Sequence, residues 1–484
     1  MGNKKDISKQ IKAFQLEAQT VMNDTAELID ERIQRTADIY RQAETLAEEG
    51  SLEENAYESL LTDSAKFFYD CGMYKEALTR YSHLIALRES IYGPNHSVTA
   101  MAYHDIGVVY MNLCDYPKAL EYNKRSLDIR EKVLGQKHLE TAESYNDIGL
   151  VYFNQGCYEK ASELILKAKT ILDEYVGDNH PGMADTYANL GLLALKYEDD
   201  EKVLENYSRA LKIYESTQGS EHRKRGLAYG GVACSYYLKD NYSEALEYCS
   251  KALVIHEKEW GTKHPETAVI YMNIGYLHYY IGGVSKALEY VTKSLEINEE
   301  MLGDDNLNTA ASFTALGWVK YKMEDYKEAL ECLEKSLNIT EKILGLEHPD
   351  TAKAYYRMGQ MYYLTDDNSK AYEYFLNAQQ FYEKCANSEY IESKIKEVES
   401  YIDLIEVKPE EETKGTRDLL LETLTKIGCQ YEIDPDEGYI SFGYQGENFV
   451  ASANNEGWYV RVWDTYWGHV ELYNVEEFSR LKKA

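Results

Sequence analysis

Six histidines, His96, His138, His180, His222, His264 and His348, share one phase of a 42-residue period. That many imidazoles would suit a metal centre, but metal ligands must converge to within about 2 Å of one ion. Equivalent positions of stacked repeats stand a full repeat thickness apart. The spacing that collects these residues in sequence therefore separates them in space, so no metal or cofactor is expected and the histidines are assigned to the links between repeats. A second candidate is Asp464 with His469, crowded by Tyr459, Trp463, Tyr466 and Trp467. No nucleophile or glycine-rich phosphate loop accompanies the pair. Packing in a small sheet accounts for it, with a partner-binding patch as the second reading, and the chain is not expected to be an enzyme.

The elements that position these residues repeat with them. Glycine recurs at 93, 135, 177, 219, 261, 303 and 345, and a second series runs through Gly107, Gly149, Gly191, Gly275, Gly317 and Gly359. Ala119, Ala161, Ala245, Ala287, Ala329 and Ala371 keep the same interval, as do Tyr103, Tyr145, Tyr187, Tyr229, Tyr271 and Tyr355, with Phe313 filling the gap. A fixed period in this range belongs to a solenoid, in which each unit buries its apolar face only on its neighbours. Within residues 94–135, Tyr103, Ile106, Gly107 and Tyr110 form the stripe of one helix, helix A. A second, helix B, starts near Pro117 and ends at Gly135, the residue type favoured at a left-handed helix terminus. In the fourth unit Asp200 and Val203 replace the usual Tyr and Ala, and the fifth has Ala233 for Gly, so less regular packing is expected there.

The run Tyr103-x-x-Ile106-Gly107-x-x-Tyr110 followed by Ala119 resembles the tetratricopeptide pattern. With the linkers Gly261-Thr-Lys-His264-Pro265-Glu-Thr267-Ala268 and Gly345-Leu-Glu-His348-Pro349-Asp-Thr351-Ala352, the unit is similar to the 42-residue repeats of kinesin light chains and of many bacterial tetratricopeptide proteins, over residues 52–385. The resemblance implies a mainly α fold, a right-handed α-solenoid of antiparallel helix pairs whose A helices line a concave groove. It also implies a non-enzymatic scaffold that holds an extended peptide or a helix of a partner protein, a peptide-sensing switch being one variant.

Carried onto this chain, the pattern's inward positions become Tyr237, Tyr276, Tyr279, Tyr280, Trp318, Tyr321, Tyr356 and Tyr363, a ladder of aromatics along the later units. Such side chains offer large apolar area with a polar tip. The earlier units place Asp105 and Asp147 there, with Asn112, Asn146 and Asn154, giving an acidic half expected to take Lys or Arg of the ligand. Kinesin-light-chain-like repeats carry an Asn on helix A that holds a ligand's backbone, and Asn189 and Asn273 occupy that phase. An amide both donates and accepts, so it can pair with an extended peptide without reading its sequence. The other units depart at this phase, with Asp105, Asp147, Gly231, Ala315 and Arg357. Tyr110, Tyr152, Tyr236 and Tyr362, at the phase of the consensus tyrosine, are read as structural.

Four segments are expected: an N-terminal helical cap or dimerising coiled coil over 1–50, eight helix pairs and a capping helix over 51–406, a linker at 407–415, and a small α+β domain over 416–484. In the first, Ile7, Ile11, Phe14, Ala18, Val21, Thr25 and Leu28 alternate steps of four and three. In the last, a helix ending at Gly428 precedes strands at 429–433, 439–444, 449–453 and 458–463, and a helix from Val475 closes the domain. That order is similar to the YbjN family and to type III secretion chaperones. A regulator or chaperone that recognises its target through this domain is therefore the alternative function.

The charge balance narrows the partners. With 83 acidic and 52 basic residues the net charge is −31, which repels phosphate backbones and anionic membranes. Neither a secretory signal nor a membrane span is apparent, and the eight cysteines include no Cys-x-x-Cys pair. A cytoplasmic protein that binds protein or peptide is expected, with a possible homodimer through the N-terminal helix.

Overall fold

The computed structural model describes residues 2–24, 28–49, 53–177, 179–216, 222–385 and 389–405, together with five strand segments between 431 and 472. It divides into two units, Met1–Leu404 and Ile405–Ala484. The first opens with α1 (Gly2–Asn23) and α2 (Ile29–Glu49). Helix pairs follow in A–B order: α3 (Glu54–Asp70) and α4 (Tyr74–Tyr92), α5 (Ser97–Asn112) and α6 (Tyr116–Val133), α7 (Leu139–Asn154) and α8 (Tyr158–Tyr175), α9 (Pro181–Lys196) and α10 (Asp200–Ser216). The array continues with α11 (His222–Leu238) and α12 (Tyr242–Glu259), α13 (Pro265–Tyr280) and α14 (Val284–Met301), α15 (Leu307–Lys322) and α16 (Tyr326–Leu344), α17 (Pro349–Leu364) and α18 (Asn368–Lys384), and ends with α19 (Glu389–Leu404).

Each residue series has a physical role. The glycines of the second series let helices B approach helices A: a Cβ on Gly149 would stand 2.8 Å from Ile165 Cγ1 and 3.2 Å from the Ala161 carbonyl oxygen. The linker glycines take positive φ, between 67° and 93° at Gly93, Gly135, Gly177, Gly261, Gly303 and Gly345. The tyrosines of the Tyr103 series reach back to a glutamate in the preceding helix B, Tyr355 donating to Glu341 at 3.0 Å and Tyr103, Tyr145 and Tyr271 pairing with Glu89, Glu131 and Glu257. Tyr110, Tyr236 and Tyr362 stack on Tyr122, Tyr248 and Tyr374, with ring centroids 5.3–5.5 Å apart. Less regular packing in units four and five takes a specific form: Tyr207 of α10 fills the space above two glycines at once, Gly191 and Gly231.

The histidines cap helices A. At His96, His138, His180, His264 and His348 the side chain accepts a hydrogen bond from the backbone N–H two residues on, satisfying an otherwise orphaned donor of the first turn. Asn306 takes the same role in unit seven. The side chain of His222 lies outside the described residues.

The superhelix closes on itself. Asn306 Nδ2 donates to the Asn112 carbonyl at 3.2 Å and His348 Nε2 meets the Asn154 carbonyl at 3.1 Å, both across 194 residues. Because His348 Nδ1 accepts from the Asp350 N–H, its ring proton sits on Nε2, which is therefore the donor. Lys394 of α19 reaches Glu198 at 2.7 Å, and Lys196 pairs with Asp350 at 2.8 Å. One turn thus takes between four and five repeats, and the caps of units six to eight sit on the A–B turns of units one to three. The concave face is consequently an interior wall, with no open cleft between turns at these contacts.

The heptad-like residues Ile7, Ile11, Ala18 and Val21 are buried in the same core as residues of α2 and α3, so they do not form an exposed seam. The second unit contains a five-stranded antiparallel sheet in chain order: β1 (Tyr431–Ile433), β2 (Ile440–Tyr444), β3 (Glu447–Ser452), β4 (Val460–Asp464) and β5 (Gly468–Leu472). The last strand was not expected. Its register sets Trp463 opposite His469 and Asp464 opposite Gly468, so these residues lie on paired antiparallel strands; Tyr459, Tyr466 and Trp467 lie outside the described residues. The linker at 407–415 and the expected helices before Gly428 and from Val475 lie outside the described residues.

Candidate functional site

Helices α11, α13, α15 and α17 come together around an interior cavity of about 500 Å³. Of the expected groove residues, Tyr237, Asn273, Tyr276, Tyr279, Tyr280 and Trp318 line it. The aromatics support one another: the Tyr237 and Tyr280 hydroxyls are 3.0 Å apart, Tyr280 stacks on Tyr242 at 5.0 Å and meets Tyr279 edge-on at 5.2 Å. Cys234 and Cys249 also line it, and burial pushes the Cys234 thiol up to about 11, which keeps it protonated.

The remaining ladder positions are used otherwise. Tyr321 packs between Trp318 and Tyr326, at 6.3 and 5.7 Å. Tyr356 is buried and donates to Glu397 of α19 at 2.8 Å, while Tyr363 meets Tyr401 of the same helix edge-on. Tyr356 and Tyr363 therefore hold the capping helix and do not line the cavity; the pattern's inward face is, in the last unit, the face on which α19 packs.

Three polar residues complete the cavity that the aromatic reading passed over: Lys353, Arg357 and Gln360 of α17. Lys353 and Arg357 are one helical turn apart. Among the described residues neither makes a hydrogen bond or an ion pair. Burial, with Arg357 and Lys196 nearby, pushes the Lys353 ammonium down to about 7. Arg357 occupies the phase of Asn189 and Asn273, where it reads as a departure from the repeat. The usable signal was that two cations one turn apart on helix A interrupt an acidic chain.

The acidic half forms a separate cavity of about 630 Å³ along α5, α7, α9 and the start of α11. Asp147 and Asn189 line it, together with Glu140, Glu143, Asn146 and Asp185. Burial raises the Asp147 carboxyl to about 6, and His104 Nδ1 lies 3.3 Å from its Oδ2. Asp185 is engaged by the Tyr214 hydroxyl at 2.6 Å and by Lys224 at 2.8 Å. The Asn146 Oδ1 and Asp147 Oδ2 atoms are buried without a hydrogen-bond partner among the described residues. Asp105 does not line this cavity; its carboxyl is raised chiefly by burial. Asn189 and Asn273 thus stand in different cavities, so they cannot grip one short stretch of backbone together.

The repeat geometry has a counterpart among known families. The tetratricopeptide repeat family model matches residues 57–132, 98–154, 140–216, 224–300, 285–342 and 319–384. The chain belongs to the tetratricopeptide repeat family. Among solved structures, this tetratricopeptide protein is similar to a Rap protein complexed with Competence and Sporulation Factor, at 14% identity over 81% of this chain and 99% of that one, with a TM-score of 0.53. Aspartyl phosphate phosphatase F from Bacillus subtilis matches at 14% identity over 78% and 93% of the two chains, with a TM-score of 0.44. A putative kinesin light chain of Podosopora anserina with nearly identical TPR-like repeats matches at 22% identity over 42% and 96%, with a TM-score of 0.32. At such identities the likeness concerns the fold alone. No curated protein matches this sequence.

Proposed function

We propose that this tetratricopeptide protein is a non-enzymatic binding module that takes an extended, acidic segment of a protein or peptide into the interior of its superhelix. The observation that carries the reading is the pair Lys353 and Arg357, without a hydrogen bond or salt bridge among the described residues, in an aromatic cavity of a chain whose net charge is −31. Burial and the neighbouring Arg357 disfavour the charged form of Lys353, and a carboxylate placed between the two would offset that cost. Tyr279, Tyr280 and Trp318 would receive the neighbouring apolar side chain, and the Asn273 amide the backbone. The second cavity, where Asn146 Oδ1 is buried without a hydrogen-bond partner among the described residues, would take a donor further along the same ligand, because α11 borders both.

This inverts part of the sequence-based expectation. The sequence points to apolar contact in the aromatic half and to Lys or Arg of the ligand in the acidic half, whereas in this reading the aromatic half also selects by charge, for a carboxylate. Closure between turns also favours an extended segment over a helix, since a strand of peptide is far thinner than a helix with its side chains, about 10–12 Å across. Of the structural neighbours, the Rap protein is complexed with Competence and Sporulation Factor, which supports a ligand-binding role for a superhelix of this kind. We read the C-terminal sheet with its flanking segments as a separate α+β domain.

Panning a library of random decapeptides against the full chain and against the double variant Lys353→Gln, Arg357→Gln tests the reading. The full chain is expected to enrich peptides containing Asp or Glu next to an aromatic or aliphatic residue, and the double variant to lose that class. Enrichment of the same peptides by both proteins would refute it.

A further inference from the structure

The contact that closes the superhelix is made of two complementary edges. One is a row of helix A caps, His264, Asn306 and His348, exposed by only 4%, 2% and 4%. The other is a row of A–B turns in the first superhelical turn. Their middle residues, Gly72, Cys114 and Gly156, take φ of 73°, 61° and 73°, and the following tyrosines Tyr74, Tyr116 and Tyr158 are 5%, 6% and 2% exposed.

Both edges occur a second time with side chains that no described residue buries: His96 is exposed, and His138 and His180 are half-buried. The A–B turns of units six to eight have the same left-handed residue, Gly282, Glu324 and Asp366 at φ 84°, 64° and 62°. Around them Ile281, Met323, Tyr326 and Leu364 are 47%, 45%, 44% and 43% exposed. Tyr326 holds the phase of Tyr116 and Tyr158, so the same position is closed in one superhelical turn and open in the next. At the opposite edge, the caps of units two to four repeat the closed geometry. His96, His138 and His180 accept from the N–H two residues on at 3.1–3.2 Å, as His264 and His348 do at 3.0 Å. His96 even stacks on Tyr92 at 5.2 Å as His264 stacks on Trp260 at 4.8 Å.

We propose that these free edges join between molecules: the caps of units two to four of one copy seat on the A–B turns of units six to eight of another, continuing the contact that closes the superhelix within each chain. Order and spacing match, because both rows advance by the same 42 residues. The occupant is a second copy of this chain because the contact inside each molecule already shows which surface covers such turns. The interface is heterologous, since it joins two different patches head to tail, and it therefore propagates into a series of oligomers instead of stopping at a two-fold dimer. A net charge of −31 per chain opposes assembly, so screening should favour it.

Sedimentation equilibrium of the full chain at about 100 µM and about 0.5 M salt tests this. Two variants change exposed residues only: Met323→Arg with Leu364→Arg on the turn edge, and Asn95→Arg with Gln136→Arg on the cap edge. Helical circular dichroism of both variants checks that they remain folded. The wild type is expected to gain mass with concentration, and each variant alone to remain monomeric. An equimolar mixture of the two should form a complex of twice the monomer mass and nothing larger, because only one intact pair of edges remains. A wild type that stays monomeric because its own residues 406–484 or another partner cover the turns, association untouched by either variant, or variants whose mixture stays monomeric would each overturn the proposal.

Discussion

Substituting Gly156 by alanine should loosen the closure of the superhelix, and substituting Gly282 supplies the matching control. The two glycines hold the same place in their units, with φ of 73° and 84°. An L-residue at such angles costs about 1–2 kcal/mol, and that cost is common to both variants. The surroundings differ: a Cβ on Gly156 would lie 2.7 Å from Pro349 Cδ and 3.2 Å from His348 Nε2, whereas nothing stands within 4 Å of one on Gly282. Carbon atoms pack at about 3.5–4.0 Å, so the proline must retreat by nearly 1 Å. The ring of Pro349 is held at the start of α17, and it cannot swing aside without moving the cap of unit eight. Overpacking of this kind costs about 1–3 kcal/mol, and the hydrogen bond from His348 to the Asn154 carbonyl is stretched with it. Urea denaturation followed by circular dichroism should therefore show Gly156→Ala about 1–3 kcal/mol less stable than Gly282→Ala. Small-angle scattering should show a larger radius of gyration for Gly156→Ala alone. Equal losses of stability with unchanged radii would refute the contact between turns.

Two further outcomes follow from buried ionisable groups. His256 is fully buried, its Nδ1 held at 3.2 Å from the Glu266 carbonyl while Nε2 has no partner among the described residues, and burial lowers its imidazole to about 4. A depressed folded value stabilises the neutral form, so this contribution is intact above pH 6.5, the unfolded value, and is lost as pH falls towards 4. Integrated over that window the loss is on the order of 3 kcal/mol. His256→Phe should flatten the stability profile between pH 6.5 and 4, as measured by urea midpoints. For Lys353, lowered to about 7, the charged form is the disfavoured one, so its cost is full below pH 7 and fades as pH rises towards 10.5. Lys353→Met should raise the stability of the unliganded chain at pH 6 by about 1–3 kcal/mol while abolishing enrichment of acidic peptides. A variant less stable than the parent would mean that the lysine has a partner in the free protein.

Much of the fold was legible in the sequence because a repeat makes every local constraint appear several times. The linker glycines, the close-approach glycines and the Tyr103 series each recur for one steric or hydrogen-bonding reason, and that reason filters residue type. The left-handed residue of the A–B turns recurs just as regularly, at Gly72, Cys114, Gly156, Glu198, Asp240, Gly282, Glu324 and Asp366, yet it is chemically mixed. Position alone sets its conformation, through the hydrogen bonds that end helix A, so composition could not reveal it. The contact between superhelical turns was hidden for a different reason. Its partners are 194 residues apart, which is not a multiple of 42, so aligning the repeats never places Asn306 beside Asn112. At the candidate site the bias ran the other way. Tyr237, Tyr276, Tyr279, Tyr280 and Trp318, which line the cavity, stand out because they follow the repeat, whereas Arg357 departs from it.

Closure changes what kind of object the repeat array is. In an open solenoid each unit touches only its neighbours, so stability adds along the chain and loss of one unit is local. Here His264, Asn306, His348 and Lys394 bring the second superhelical turn onto the first, so units one and six, or three and eight, are also neighbours. Filling the cavity at Lys353 then bears on the first turn as well, because that residue follows Pro349 and Asp350 on α17, and Asp350 is the partner of Lys196 across the turns. A carboxylate bound between Lys353 and Arg357 would relieve the repulsion that both exert on Lys196. On the proposed reading, binding inside the superhelix and the tightness of its closure would be coupled through one short stretch of α17, and a ligand that gains from closure would, by reciprocity, hold the turns together.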